Sequence, residues 1–391
     1  MQSIGRTLLG GKTMQSFLKA MVCLALVLGW TYVLAEDPPT TSDEGVFTRA
    51  FTPGETTRPG DLATTTTAAT PTEAGPTTDT DLAEKLGLAE RLLGIDFRPR
   101  LGGTYYFEED TDQAGSDLEW YEARVDFAFP IRRGRTTDVA GYVNLGYTDF
   151  NNHGLIIPMT GGAKFPGELY DIELGVFFTK KLDGGRTLGG RVAVGSPSDD
   201  PFNSWDEISL KADLFYQMPW RTNMSWIFFL SYANTREYDF PLPGAALLWK
   251  PSDQLTVIAG IPVVAATWKP SPRWEFNGVY IMPRTVNLEA AYNLTDSTKI
   301  YGAFDWDSRD YFREGRADDD DRLQYYEKRL SLGVRCKPMG NVFIDLGGGY
   351  AFDRFWFEDD DYDDRGDTRI DIDDGLFVML QVGIDLGIVS R

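Results

Sequence analysis

The chain has 391 residues, of which 59 are acidic and 38 are basic, so its formal net charge at pH 7 is −21. This excess of negative charge argues against nucleic acid as a binding partner, because the phosphates would be repelled. The chain has one histidine and two cysteines. These are too few ligands for zinc sites of the His/Cys kind, and too few cysteines for a disulfide framework.

The first 35 residues have the composition of a secretory signal peptide. Arg6, Lys12 and Lys19 form a basic start, and an uncharged apolar stretch follows from Met21 to Leu34. The small residue Ala35 ends the segment, so we predict cleavage after it. The alternative is a single membrane anchor, but the apolar stretch is shorter than the ~20 residues that a spanning helix needs.

Two segments of different character follow the signal peptide. Residues 36–80 are rich in Thr, Pro and acidic residues. They cannot bury enough apolar surface to offset the entropy of ordering, so we predict disorder. In residues 81–94, Leu82, Leu86 and Leu93 fall at helical spacing. We predict a short helix there, which either lies under or inside the mouth of the following domain or is a frayed linker.

From residue 95 to 388, apolar and polar residues alternate with a period of two. In residues 121–129 the odd positions are apolar, and Glu122, Arg124 and Asp126 lie between them. Because successive side chains of a strand point to opposite faces, each predicted strand has one apolar and one polar face. A soluble β-sandwich buries that apolar face, whereas a transmembrane β-barrel turns it toward lipid. No apolar run is long enough to span a membrane as a helix.

The connections between these strands alternate between two kinds. Short ones carry Pro, Gly, Asp or Asn, as in residues 131–136, 219–222 and 270–272. Longer ones are often acidic, as in residues 309–321 and 357–374. A transmembrane barrel has short turns on its periplasmic side and long loops outside, whereas a sandwich gives no reason for this alternation. We therefore predict an all-β fold, a closed antiparallel transmembrane barrel over residues 95–388.

The strand count depends on two very short breaks, near Pro262 and Pro283. Counting both as turns predicts sixteen strands, and merging or discounting them predicts twelve to fourteen, so we expect about 14 within a range of 12–16. Aromatic residues near the predicted strand ends predict girdles at the two lipid–water boundaries. These residues are Tyr105, Phe107, Trp120, Tyr121, Trp249, Trp268, Trp274, Trp306, Phe355 and Trp356.

The middle of the chain carries a resemblance to a known family. The residues concerned are Leu-Leu-Trp-Lys-Pro-Ser-Asp-Gln-Leu at 247–255, Gly-Ile-Pro at 260–262 and Thr-Trp-Lys-Pro at 267–270. They resemble an uncharacterised, porin-like family of bacterial outer-membrane β-barrels, a domain of unknown function. The resemblance implies a barrel over about residues 95–388. The partners expected for such a barrel are outer-membrane lipid and the barrel-assembly machinery, and its oligomeric state is left open.

Charged residues on the polar faces of the predicted strands are the candidates for lining a pore. They could tune its ion selectivity, weakly toward cations, or they could pair across strands and close the lumen. The candidates are Arg98, Arg100, Glu122, Arg124, Asp126, Asp171, Glu173, Arg191, Lys211, Asp213, Glu275, Glu289, Asp305, Arg329, Arg335, Asp345 and Asp385.

Other chemistry has little support in the sequence. A catalytic triad would have to use His153, which lies in a predicted loop, and no Gly-x-Ser-x-Gly motif accompanies it. The acidic runs are interpreted as solvated loops, with calcium binding as the alternative. We therefore predict no enzyme, no catalytic residue, no metal site and no cofactor.

The functional prediction is a passive, porin-like channel for small solutes or ions in the outer membrane of a Gram-negative-type bacterium. The alternatives are a non-transporting structural or surface-interaction barrel and a secreted soluble β-sandwich that binds a ligand.

Overall fold

The structure, a computed structural model, describes residues 99–235, 240–360 and 366–384. Within them, sixteen antiparallel strands close into a barrel, because the last strand pairs with the first. A short additional strand, β16, pairs only with residues 354–356 of β15 among the described strands. The strands are β1 Arg100–Asp110, β2 Asp117–Arg133, β3 Thr137–Asn152, β4 Glu168–Leu182, β5 Arg186–Ser198, β6 Ser209–Arg221, β7 Met224–Ala233, β8 Leu242–Ser252, β9 Leu255–Ile261, β10 Val263–Ser271, β11 Trp274–Ile281, β12 Thr285–Asn293, β13 Thr298–Tyr311, β14 Arg322–Met339, β15 Val342–Asp359, β16 Ile370–Ile372 and β17 Gly375–Ile384.

The apolar face of the strands lies on the outside of the barrel. On β14, Leu330, Leu332 and Val334 are exposed, and Leu332 retains 74% of its surface, whereas the intervening Ser331 is buried. Soluble proteins rarely leave a continuous apolar surface of this kind in water, but hydrocarbon favours it, and a closed barrel pairs the backbone groups that lipid cannot satisfy. This arrangement excludes the soluble β-sandwich, whose apolar faces would be buried against each other.

The connections alternate as the sequence predicts. Every second connection is short, for example between β6 and β7 or between β14 and β15, and these turns lie at the end of the barrel that also holds the start of β1. We call this the short-turn end and the opposite end the long-loop end. The breaks at Pro262 and Pro283 are turns between paired antiparallel strands. The barrel therefore has sixteen strands, and the predicted count of about 14 was too low because it merged or discounted these two turns.

The barrel wall differs in height around its circumference. Strands β9 to β12 have 7 to 9 residues, whereas β14 and β15 each have 18. The long strands extend past their short neighbours at the long-loop end. Strand β13 is one of the strands that extend in this way, and it continues to Tyr311. Arg309, which the sequence assigned to a loop, therefore lies on β13.

Only part of the predicted aromatic girdle is on the outer surface. Trp249, Trp268 and Trp274 are exposed near the short-turn end, and the rings of Trp268 and Trp274 each stack on that of Phe276. Trp120, Phe355 and Trp356 are buried instead. Trp120 and Trp356 belong to an aromatic cluster inside the barrel, so their place in the predicted girdle was wrong.

The predicted signal peptide, Thr/Pro-rich segment and short helix at 81–94 lie outside the described residues. None of the helices in the described part of the chain is long and apolar enough to cross a membrane.

Candidate functional site

The lumen is the candidate functional site, and much of its wall is built from aromatic rings that cover glycines. Gly175 of β4 lies opposite Tyr142 of β3, and a Cβ atom added to this glycine would fall within 3.0 Å of the Tyr142 ring. Phe215 covers Gly189 of the neighbouring strand in the same way. Because glycine has no side chain, such a ring can lie flat against the backbone beside it. The rings therefore line the wall rather than extend across the lumen.

Apolar residues form the wall of the lumen from β2 to β11. Their packing leaves each of the buried members with at most 8% of its surface exposed. This lumen-wall cluster consists of Ala128, Tyr142, Phe177, Ala193, Phe215, Ile227, Ala246, Leu248, Ile258, Val263 and Ala265, with Phe229, Val279 and Ile281 packed against it.

Three of the candidate pore-lining residues form one group on β1 and β2. The guanidinium of Arg100 donates from Nε to Asp126 Oδ2 at 2.5 Å, and Arg124 Nε donates to Asp126 Oδ1 at 3.1 Å. Asp126 is 3% exposed, whereas the side chain of Arg124 is 52% exposed. The carboxylate is thus enclosed by two cations, and Arg124 still faces accessible space.

A second group of candidates extends from β3 to β6. Lys211 Nζ donates to Glu173 Oε2 at 2.6 Å, and the Tyr142 hydroxyl donates to Glu173 Oε1 at 2.8 Å. Arg191 Nε donates to Asp213 Oδ2 at 2.6 Å. Both buried carboxylates are therefore matched by cations on neighbouring or next-neighbouring strands.

A third group joins β12 to β15. Arg335 lies between two carboxylates, with Nε 2.6 Å from Asp345 Oδ2 and Nη2 3.2 Å from Glu289 Oε2. The Tyr301 hydroxyl donates to the other oxygen of Asp345 at 2.8 Å. Charge pairing rather than free charge is thus the common feature of the three groups.

A fourth group crosses the lumen, and its central residues were not among the sequence candidates. Arg309 of β13 donates from Nη1 to Glu122 of β2 at 2.7 Å and from Nη2 to Glu327 of β14 at 3.5 Å. Arg329 donates to the Tyr106 hydroxyl at 3.0 Å, and that hydroxyl donates to Glu327 Oε1 at 3.0 Å. Four barrel strands, β14, β15, β17 and β1, separate β13 from β2, so the Arg309–Glu122 pair joins non-adjacent parts of the wall.

Aromatic residues fill the long-loop end on the side of β1–β4 and β13–β17. Tyr106 stacks on Trp120 with ring centroids 4.3 Å apart, and Tyr325 stacks on Trp356 at 4.6 Å. The loop between β3 and β4 adds Phe165, which is 4% exposed and packs with the rest of this aromatic cluster. Leu155 and Ile157 of the same loop are buried in the cluster too, whereas Ile156 and Met159 are exposed.

The end of β13 and the following loop cross the long-loop end of the barrel. We call residues 311–322 the cross-lumen segment. The Phe312 amide donates to the Pro197 carbonyl at 2.7 Å, and Phe312 forms a parallel bridge with Ser198 at the end of β5. Strands β5 and β13 lie on opposite sides of the barrel, with β6–β12 between them on one side and β4–β1, β17, β15 and β14 on the other.

Side chains of the two facing loops strengthen this crossing. The Glu314 amide donates to Asp199 Oδ1 at 2.7 Å, and Arg316 Nη2 donates to the Asp206 carbonyl at 3.0 Å. Arg322, at the other end of the segment, donates to a carbonyl just after β7 at 2.7 Å. The cross-lumen segment therefore has four anchors on the far side of the barrel.

Two carboxyl groups in these loops have altered acidity. Burial raises the pKa of Glu207, and the nearby Asp199 and Asp200 raise it further. Burial also raises the pKa of Asp321, with a further contribution from Glu358. The folded loops thus favour the neutral form of each group more than water does.

The structure leaves some predicted residues without an assigned role. Arg98 and Asp385 lie outside the described residues. His153 is exposed, and its Nδ1 lies 2.8 Å from Asp117 Oδ1. In the part of the chain that the structure describes, no group of three or more His, Cys, Asp or Glu side chains is arranged to hold a metal ion.

The position of Arg309 and Glu327 explains why sequence reasoning missed them. Glu327 follows Tyr325 and Tyr326, and both tyrosines are buried, so alternation alone does not distinguish the inner face there. The acidic context of residues 307–321 suggests a loop. A signal was available in the run of alternating residues that continues through Asp307 and Arg309.

Comparison with solved structures finds outer-membrane barrels at low identity. An outer membrane channel from Pseudomonas putida F1 is 10% identical, covers 74% of this chain and 96% of its own, and has a TM-score of 0.31. The TodX deltaS2S3 mutant monoaromatic hydrocarbon channel is 7% identical, with 75% and 92% covered and a TM-score of 0.34. The FrpB iron transporter from Neisseria meningitidis is 10% identical, with 69% and 64% covered and a TM-score of 0.30.

No curated protein sequence matches the chain. One family model does match, over residues 100–362, and these residues extend from the start of β1 to just after β15. The match covers most of the barrel and confirms the family predicted from residues 247–270. The chain therefore belongs to the family described as "Domain of unknown function (DUF6268)".

Proposed function

We propose that the protein is a passive outer-membrane channel for small solutes. The observation that supports this most is the accessible space inside a closed barrel of sixteen strands. A barrel of this size leaves a passage, whereas about eight strands would be filled by side chains. Arg124 faces the lumen with 52% of its side chain exposed, and Asn287 is exposed beside its lumen-facing partner Asp305, 3.0 Å away.

The passage that we propose is narrow and has little preference for ions of either charge. The cross-lumen segment spans one end, and the aromatic cluster fills part of the same end. Most of the lumen charges are held in pairs, so their fields largely cancel at the distances at which a solute would pass. Small uncharged or weakly polar solutes suit such a lumen better than ions do.

The outer face of the barrel and the predicted signal peptide indicate where the protein is located. The apolar outer face of the barrel suits a lipid environment, and the predicted signal peptide would direct the chain out of the cytoplasm. We propose the outer membrane of a Gram-negative-type bacterium, with insertion by the barrel-assembly machinery.

The test is conductance in a planar bilayer, together with swelling of vesicles in small sugars. We expect small, discrete current steps from the wild-type chain. Asp199→Ala removes the acceptor of the Glu314 amide and should increase conductance by loosening the cross-lumen segment. Asp183→Ala, in the turn between β4 and β5, is the matched control and should not. Silent membranes and no swelling with a folded, inserted protein would refute the channel.

One observation favours a second candidate, a non-transporting structural barrel. The pairing of lumen charges and the packed aromatic cluster would stabilise a closed lumen as well as a narrow one. The same recordings distinguish the two functions, because a structural barrel stays silent even in the Asp199→Ala variant.

A further inference from the structure

The barrel wall is lowest at β9–β12, and its upper edge there is apolar. The turn between β9 and β10 consists of Ile261, Pro262 and Val263, and Ile261 is 68% exposed. The turn between β11 and β12 includes the exposed Met282. Among the residues of these two turns, all of which are described, Arg284 is the one charge, and it interacts with Asp310 of β13. Exposed apolar turns are favoured in hydrocarbon rather than in water.

The wall at β9–β12 is also low enough for its apolar edge to lie in hydrocarbon. Strand β9 has 7 residues, which at a rise of ~3.3 Å per residue extend about 23 Å along the strand. At a tilt of ~40° this length rises about 18 Å, less than the apolar band of ~25 Å that transmembrane barrels present to lipid. The edge at Ile261 and Met282 therefore ends within the apolar layer.

Behind this edge the lumen is apolar as well. Ile258, Val263, Ala265, Val279 and Ile281 all belong to the lumen-wall cluster or pack against it. They face the lumen from β9, β10 and β11, three of the four short strands. An apolar surface thus continues from the lumen up to the edge of the wall.

The cross-lumen segment lies above this part of the lumen, on the side facing the long loops. Its anchors on β5 and after β7 place it between the short strands and the aromatic cluster. A solute in the lumen therefore meets a hydrogen-bonded segment along the barrel axis and a low, apolar edge to the side.

We propose that the edge at β9–β12 is a lateral exit through which small, predominantly apolar molecules pass between the lumen and the surrounding membrane. This inference rests on the proposed channel function and specifies its substrate class. The solute leaves into the acyl chains of the membrane rather than into water.

The first test measures where the edge lies. The full chain, with Cys23→Ser and Cys336→Ser, is labelled with a nitroxide at Ile261→Cys or Met282→Cys in phosphatidylcholine vesicles. We expect both labels to collide more with oxygen than with a water-soluble nickel complex, as a label at Leu332→Cys on the outer belt should. Labels that behave like one at Asp200→Cys, in a long loop, would overturn the proposal.

The second test measures passage. Cells of a Gram-negative host expressing the wild-type chain take up N-phenyl-1-naphthylamine, an apolar probe that the outer membrane normally excludes. Ala265→Trp enlarges a lumen-facing side chain behind the edge and should reduce this uptake at least fivefold. The matched control, Ala266→Trp, points outward from the same strand and should leave uptake unchanged.

The outcomes separate this inference from the channel function itself. Uptake of the probe that is the same in Ala265→Trp and Ala266→Trp overturns the lateral exit, even where sugars still pass. No passage of either sugars or probe by the wild-type chain refutes the channel as well. If Ala265→Trp fails to fold, the nitroxide measurement decides between an edge in lipid and an edge in water.

Discussion

Substitution of Gly175 by alanine should destabilise the barrel far more than its chemistry suggests. Gly175 lies opposite Tyr142, and an added Cβ would fall closer than 3.0 Å to the ring, a distance that real Cβ atoms essentially never show. The ring is 1% exposed, and its hydroxyl donates to Glu173 at 2.8 Å. It cannot move away from the new methyl group without weakening that hydrogen bond.

The expected cost follows from these contacts. Overpacking of a filled site typically costs ~1–3 kcal/mol, and loss of a hydrogen bond to a charged group costs ~1.5–3 kcal/mol. Alanine recovers ~0.5–1 kcal/mol, because glycine is unfavourable within a strand. We expect the free energy of unfolding to fall by about 2–5 kcal/mol.

The assay is urea unfolding of the folded barrel in vesicles, followed by tryptophan fluorescence. The matched control is Gly102→Ala on β1, where an added Cβ would meet Gln381 and Leu380 atoms at an ordinary 3.7 Å. This control should be neutral or slightly stabilising. Combining Gly175→Ala with Tyr142→Ala should recover much of the loss that the glycine substitution causes. Equal effects of Gly175→Ala and Gly102→Ala would refute the reasoning.

Two further predictions concern the charges. Arg309→Met should lower the free energy of unfolding by ~3–5 kcal/mol, because it removes a cation from the buried Glu327 and from the partly buried Glu122. The urea midpoint measures this loss, and an unchanged midpoint would refute it. Burial raises the pKa of Glu207 and of Asp321 above their ordinary values of 4.5 and 3.8. Protonation of these groups therefore stabilises the folded loops fully at a pH below the ordinary values, and this contribution is lost as the pH rises through the raised values. Channel conductance should therefore fall reversibly on acidification into this range, and Glu207→Gln with Asp321→Asn should abolish the change. A conductance that rises on acidification would contradict the sign.

The pattern of side chains along the chain is sufficient to predict the class of fold. A side-chain period of two, read on residues 121–129, assigns one face of each strand to apolar residues whatever its neighbours are. The regular alternation of short turns with generally longer loops then favours a membrane barrel over a sandwich, because a barrel has short turns on its periplasmic side and longer loops outside. The same reasoning placed Glu122, Asp126 and Arg335 on the inner face, where the structure has them in ion pairs.

The sequence could not determine what happens where the chain crosses itself. The bond from Phe312 to Pro197 joins residues on opposite sides of the barrel, and no local pattern encodes a contact of that sequence separation. Burial of Trp120 and Trp356 has the same origin, because an aromatic residue near a strand end suits a lipid boundary and a filled lumen equally well.

The strand count and the height of the wall also needed the tertiary structure. A break at Pro262 or Pro283 is compatible with a kink or with a turn, and only pairing of the flanking strands decides between them. That pairing makes β9–β12 short beside the 18-residue β14 and β15. The sequence thus specifies which face of each strand meets lipid, through side-chain periodicity. The long-range contacts of the closed barrel decide where the lumen is blocked and where its wall is low.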